Sequence, residues 1–565
     1  MPMYINIRNI VIFILALSPL RGLTQDLANL KSATPVTFKG NINLSMNTYA
    51  TTRETPQRDP FFWTLSGNPV VGLYGITLPF SFVISQKHRS FMQPFNRFGV
   101  SPYYKWLQLH LGYRSMNFSQ YSLNGHSFSG VGAEAKPGNF RFGLMRGRLL
   151  KAIPYDSLSE FPMQPTYKRK GFSAKAGYGK ESNYFDLILF KGWDDINSIE
   201  RPLDSARVNP QDNVVLAVKS NQRIIQGLVL DVDFGWSGWT SNLFASGLPR
   251  EDITMAGIVN KLLKVNYSTQ VLKAGTAGLS YNFKTYNIAL KYERVDPDYR
   301  TLGAYYFNTD LENITVSPGW SMLKNKMRVQ TSLGVQKNNL FANKLAQTKR
   351  RINSIRASYS PVQKISLNAS YTNFQTSQIR YDYIKRDLLD SMVLQQFAKN
   401  FSMGANYSFG DKVKRYSFSF NNSIQSFAQE GGYAYVGDHN SRSMGPSLSF
   451  TMNNREQKMG LNASVNYNDF RNATTNAVNW GVNTGANKQI GEGKWALSGN
   501  AGFFRTNLNK EPGGNTLRFR TGVNFTPAEQ HSLGLSGNII ARKSFNDRVK
   551  GFTEFMGTIN YGYRF

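Results

Sequence analysis

Cysteine is absent from the 565 residues of this chain. A secreted fold stapled by disulfide bridges is thereby excluded, and the absence fits a fold held by a closed hydrogen-bond network. Acidic side chains are scarce: 35 Asp and Glu stand against 66 Lys and Arg, for a formal charge of +31. The basic excess is spread along strands and loops and not gathered with stacking aromatics, which argues against nucleic acid as a partner. Histidine is rarer still, and His88, His110, His126, His439 and His531 show no metal-ligand spacing. Long apolar runs are missing after residue 24, and the mean hydropathy is −0.39, so the chain is not a bundle of membrane helices.

What the chain has is alternation. Near its end Phe555, Ile559, Tyr561, Tyr563 and Phe565 face one way, and Thr558, Asn560, Gly562 and Arg564 the other. That is the period of a β-strand with one apolar and one wet face. The pattern recurs throughout. Leu107, Leu109 and Leu111 alternate with Gln108, His110 and Gly112; Phe140, Phe142 and Leu144 flank Arg141 and Gly143; Leu517 and Phe519 flank Arg518. Counting such runs predicts about 24 strands, within a range of 22–26. Connections alternate too. Tight turns such as 181–183, 361–363 and 410–412 interleave with long segments such as 151–170, 240–274 and 296–311. Backbone groups in lipid must all be paired, so strands in a membrane must close on themselves. The expected fold is all-β: a transmembrane antiparallel up-and-down β-barrel with short periplasmic turns and long extracellular loops. One connection breaks the rhythm, because 86–103 is long where a short turn is due. Pro79 within Val70–Ser85 marks an irregular strand.

At the amino-terminus, Arg8 precedes the apolar run Ile10–Leu17 and then Ser18-Pro19. The pattern predicts a secretory signal peptide over residues 1–24. Arg8 and Arg21 are its charged residues, so the mature charge is 31 − 2 = +29. Residues 25–37 are then a short periplasmic segment and 38–565 the barrel. No room is left for a folded plug domain ahead of the first strand.

The terminal stretch, with Tyr561, Tyr563 and Phe565, resembles the closing strand of Gram-negative outer-membrane β-barrels. The resemblance implies that these aromatics form part of the signal read by the barrel-insertion machinery, and that the chain lies in the cell outer membrane among lipid and lipopolysaccharide. Asn-rich strands, many Tyr and Lys, and Gln25 at the expected mature start look like barrels of the Bacteroidota. Arg294-Val295-Asp296-Pro297 and Leu302-Gly303-Ala304-Tyr305-Tyr306-Phe307 resemble stretches of uncharacterised barrels of that group, and this carries no implied substrate.

By parity, Arg114, Arg141, Lys175, Lys219, Lys284, Lys291, Arg328, Arg356, Arg518 and Arg520 line the lumen, outnumbering Glu134, Asp186, Asp231, Asp233 and Glu293. A basic lumen favours anions. The same arginines and lysines have a second reading, as partners of those acids or of lipid phosphate at the rims. Ile384, Leu388, Met392 and Phe397 fall near helical spacing, which fits a constriction loop or an outward cap. His126-Ser127 and His531-Ser532 are not base–nucleophile pairs, since neighbours on a strand point to opposite faces. No catalytic residue, metal site or cofactor is expected. The function expected is an outer-membrane channel or translocation pore favouring anionic or polymeric cargo, including protein secretion, gated by loops or by a lipoprotein or periplasmic partner. The alternative is a non-conducting scaffold whose long loops bind surface-exposed or exported proteins.

Overall fold

A computed structural model describes residues 36–73, 76–85, 97–155, 164–200, 208–248, 262–306, 308–380, 392–430, 440–545 and 550–565. The signal peptide expected over 1–24 lies outside these residues. The described chain is a closed antiparallel barrel of 26 strands. β1 runs Val36–Lys39 and Asn41–Thr51, broken at Gly40; β2 runs Phe61–Gly67 and Val70–Leu73; β3 is Ile76–Ser85; β4 runs Arg97–Val100 and Tyr103–Tyr104. β5 to β9 are Leu107–Asn117, Asn124–Ala135, Phe140–Leu150, Lys168–Lys180 and Asn183–Asp195. β10 to β15 are Asp212–Ile225, Leu228–Thr240, Thr269–Asn282, Tyr286–Val295, Leu311–Met322 and Met327–Lys337. β16 to β19 are Ala346–Val362, Ile365–Arg380, Met392–Gly410 and Lys414–Glu430; β20 runs Ser441–Met444 and Ser447–Asn454. β21 to β26 are Met459–Asn472, Asn476–Ile490, Trp495–Leu508, Glu511–Ala528, His531–Ser544 and Phe552–Arg564.

Two strands exceed the sequence count of about 24, and both lie near the start. The run Val70–Ser85 is not one strand: Val70–Leu73 ends β2 and Ile76–Ser85 is β3. β4 carries no alternation long enough to read. With these two strands in place, the connection from β3 to β4 falls on the long-loop side, and the break in rhythm disappears. The reason the sequence hid them is proline. Pro69, Pro102 and Pro446 sit at the interruptions of β2, β4 and β20, where the ladder loses a donor. Each keeps its acceptor: the N–H groups of Phe80, Leu109 and Tyr467 donate to Pro69, Pro102 and Pro446 at 2.8, 2.8 and 3.0 Å. Pro79, inside β3, accepts from the Ser101 N–H at 2.9 Å.

Closure is made by β1 against β26, from Asn41↔Arg564 to Thr51↔Glu554. Gly40 and Phe565 extend it by exchanging backbone hydrogen bonds of 3.0 and 3.1 Å, and Phe38 stacks on Phe565 with ring centroids 4.2 Å apart. Gly40 holds φ +146°, and a Cβ there would lie 2.6 Å from the Asn68 carbonyl oxygen and 2.7 Å from Pro69 Cα. The break in β1 therefore nests on the break in β2, and only glycine fits.

Leu144, Leu187, Leu216, Leu290, Leu333, Phe418, Phe519 and Ile559 all stand exposed on the outward register. Such a continuous apolar surface suits hydrocarbon and not water. On the same register, toward the long-loop end, come Arg146, Lys168, Lys170, Lys349 and Arg351. A circular section of 26 strands at ordinary spacing and tilt would be about 50 Å across, too wide for side chains alone to fill.

Gly40→Val is expected to weaken the seam selectively. The barrel should lose its compact, heat-modifiable gel migration at a lower temperature than the parent. Gly499→Ala, where an added Cβ meets nothing within 4 Å, should leave that temperature unchanged.

Candidate functional site in the barrel lumen

The lumen has two unlike arcs. Every fully buried apolar side chain among the described residues lies between Met116 and Leu302. The arc from β5 to β13 is filled by two connections that fold inward, residues 118–123 and 296–303. Phe118, Leu123 and Leu302 pack on inward-facing Met145, Ile188, Phe190 and Val215 of the wall. Tyr121 and Tyr299 meet edge to face, centroids 6.1 Å apart, over Leu272, Ala274 and Val295.

Polar groups fasten the two connections to each other and to the wall. The Tyr299 hydroxyl donates to the Tyr121 carbonyl at 2.6 Å, the Thr301 hydroxyl to the Ser122 carbonyl at 2.8 Å, and the Asn124 N–H to the Gly303 carbonyl at 3.0 Å. Asn213, fully buried on β10, accepts from the Leu302 N–H at 3.0 Å. On β11, Asp233 accepts from the Ser119 hydroxyl and from the Gln120 N–H. Asp310 ties the far end of the second connection to 338–345, accepting from the Leu340 N–H at 2.9 Å and from Lys344 at 2.5 Å. Burial pushes the Asp310 carboxyl up, but Lys344 and the backbone donors outweigh it and hold it below the usual carboxylate range.

The ten basic residues expected in the lumen separate into three groups. Five are already engaged. Arg114 donates to the Ser81 hydroxyl at 2.5 Å and to the Pro79 carbonyl at 3.2 Å, so it braces the irregular β3. Arg141 makes a two-pronged pair with Asp186 at 2.8 and 3.0 Å. Lys175 reaches Glu134 at 3.3 Å and lies over the Phe118 ring. Lys219 stands 3.9 Å from Asp233, and Lys291 3.4 Å from Glu293. Lys284 and Arg328 flank one recess at the short-turn rim. Arg356, Arg518 and Arg520 remain on the wall of the other arc, Arg518 lying over the Phe504 ring at 4.9 Å.

That other arc, β15 to β26, holds few acids. Glu430, Asp469, Glu511 and Glu554 are the acidic residues of its strands, each near the long-loop end. The middle of its wall carries Asn, Ser, Thr, Gln and arginine instead. Among the described residues, the lumen arginines without an acidic partner are therefore on this side.

The helical constriction read at Ile384, Leu388, Met392 and Phe397 is corrected in part. Met392 and Phe397 belong to β18, paired with Arg380 and Gln375 of β17, and are extended. Ile384 and Leu388 lie outside the described residues. Steps of four, as from Leu388 to Met392, keep side chains on one face of a strand as well as of a helix, so the spacing does not tell the two apart. The segments that do fold inward, 118–123 and 296–303, give no periodic signal. Their one mark in the sequence is Tyr and Leu in segments due to be solvated loops. Tyr561 and Tyr563 face outward beside His531, at ring-centroid distances of 6.1 and 4.8 Å, and Phe565 closes the seam. No group of three or more His, Asp or Glu able to hold a metal occurs among the described residues.

No family model matches the chain, and no curated protein does. Solved structures with a related shape include the copper transporter OprC (9% identity, 94% of this chain and 80% of that one, TM-score 0.38). The P pilus usher PapC translocation pore matches at 12% identity over 93% of this chain and 98% of that one, TM-score 0.34. The outer-membrane protein OpdK of Pseudomonas aeruginosa matches at 11% identity over 63% and 94%, TM-score 0.29. These values fall below what a shared fold requires, so the barrel's own geometry and charge must carry any functional conclusion.

Tyr299→Ala should release the inward connections. The loss of a buried aromatic costs about 3–5 kcal/mol, and limited proteolysis should then cut near residues 118–123 and 296–303 in a barrel that still migrates as folded. The Asp310 tether has a stated pH sense. Its folded pKa lies below the ordinary 3.8, so the tether is in place above that value and is lost only as pH falls through the folded one. The protection of the Leu340 amide relative to its intrinsic exchange rate should be high at pH 5 and fall as the pH is taken below the ordinary 3.8, and Asp310→Ala should lower it at both.

Proposed function

We propose that the chain is a passive outer-membrane channel whose conducting path is the open arc of the lumen, and that the path favours anions. The observation that carries this is charge placement: the mid-wall of β15 to β26 has no acidic residue, while Arg356, Arg518 and Arg520 stand on it. A cleft lined by one sign of charge concentrates the opposite ion. The apolar outer face and the closed hydrogen-bond ladder support a place in a bilayer. The outward Arg146, Lys168, Lys170, Lys349 and Arg351 suit phosphate groups of lipid or lipopolysaccharide at the long-loop rim. Tyr561, Tyr563 and Phe565 at the closing strand suit recognition by the insertion machinery. The filled arc acts as a fixed constriction that narrows a barrel otherwise wide enough for polymeric cargo. A lipoprotein or periplasmic partner is a further element of the reading, as a cap on the open arc.

A second reading is favoured by one observation, the packed arc from β5 to β13. Were the undescribed loops to fill the remaining arc as well, the barrel would be a scaffold that passes no current.

Planar-bilayer recording of purified protein tests both. In a potassium chloride gradient the reversal potential should report anion preference. Glu at positions 356, 518 and 520 together should turn the preference toward cations, with the single-channel conductance kept within about twofold. Silence in repeated insertions of folded barrel would sink the channel and leave the scaffold.

A further inference from the structure

A pocket of about 630 Å³ lies on the lumen wall at the seam, lined by β24, β25, β26, β1 and β2. Its size is that of a small-solute site. The strand register sets its lining in two rows. One row runs Arg520, Asn538, Met556, Tyr49 across neighbouring strands. The next, two residues toward the short-turn end, runs Ser536, Thr558, Asn47 and ends on Phe62. Neighbouring groups in a row are about 5 Å apart. That places a ladder of hydroxyl and amide groups beside an aromatic ring.

The roof is the connection 52–60. β1 continues past the point where β2 begins, so the chain must descend into the lumen to start β2 at Phe61, and Gln57, Arg58 and Asp59 cover the pocket. The roof is anchored on β26: Arg53 Nε lies 2.7 Å from Glu554, the Tyr49 hydroxyl donates to Glu554 at 3.0 Å, and Lys550 meets Glu54 at 2.5 Å. These contacts occupy Glu554, the acid of β26. Arg520 has no ion-pair partner among the described residues, and it stands between Asn500 and Asn538, both neutral. Within the lining, Arg58 and Arg520 oppose the single acid Asp59.

We propose that this pocket binds a polyhydroxylated solute carrying an anionic group, of the sugar-acid or sugar-phosphate class. Arg520 receives the anion. Asn47, Ser536, Asn538 and Thr558 exchange hydrogen bonds with hydroxyl groups, and the apolar face of the ring lies on Phe62. The inference deepens the anion-favouring reading by naming the class of solute and the place where it pauses. It rests on that reading only for the route by which the solute arrives.

Calorimetric titration of the full-length barrel in detergent tests it, with glucose 6-phosphate, glucuronate and glucose as probes. Glucose 6-phosphate or glucuronate should bind at least tenfold tighter than glucose, and which of the two is tighter assigns phosphate or carboxylate. Arg520→Gln should weaken the anionic probe about tenfold or more while leaving glucose unchanged, and heat-modifiable migration shows that the variant is folded. Arg415→Gln, at the short-turn end of β19 and outside the pocket lining, should bind as the parent does. Equal binding by parent and Arg520→Gln, equal binding of glucose and glucose 6-phosphate, or no binding of either anion overturns the site. Binding by a barrel that passes no current would overturn the channel and leave the pocket; anion-selective current without binding would do the reverse.

Discussion

A backbone N–H or C=O left unpaired in hydrocarbon costs several kcal/mol, and the rest of this structure depends on avoiding that cost. The 11 residues Asn41–Thr51 of β1, left as an open edge, would expose a row of such groups. Pairing β1 with β26 from Asn41↔Arg564 to Thr51↔Glu554 removes the edge. The requirement is strict enough that its local irregularities are matched across strands. Gly40 breaks β1 where Asn68-Pro69 breaks β2, and the proline carbonyls still accept hydrogen bonds from the next strand.

Closure with 26 strands creates a second problem. The enclosed space is too wide for wall side chains to meet, and an empty barrel of that width would leak. The chain answers on one side only. Between β5 and β13 two connections turn inward and bury aromatic and aliphatic side chains; of the acids of that wall, Asp186 and Glu134 are used in pairs and Asp233 fastens an inward segment. Arg141–Asp186 and Lys175–Glu134 belong to this packed arc. Among the described residues the opposite arc has neither inward apolar cover nor mid-wall acids, so Arg356, Arg518 and Arg520 have no acidic partner there. Filling and charge are thus complementary halves of one design, and the proposed anion path runs where the filling stops.

The seam joins the two themes. The register that lets β1 outrun β2 also forces the connection 52–60 down over Arg520, Asn538 and Thr558. A recess with an arginine and a ladder of neutral polar groups is a by-product of how the barrel closes.

Period-two alternation, the lack of cysteine and the absence of spanning helices sufficed, read along the chain, to determine an all-β closed fold and the face each side chain presents. This is so because a strand's side-chain direction is a local property that one residue's parity settles. Parity also placed Arg356, Arg518 and Arg520 on the wet face. It could not say which basic residues would be neutralised, since Arg141 and Asp186 are 45 residues apart and meet only when β7, β8 and β9 are in register. Nor could it show the two strands hidden by Pro69 and Pro102. The inward turn of 118–123 and 296–303 was equally out of reach, because Tyr121 and Tyr299 find each other only once the cylinder brings their strands to one side. Those features depend on contacts between distant parts of the chain, and tertiary structure alone decided them.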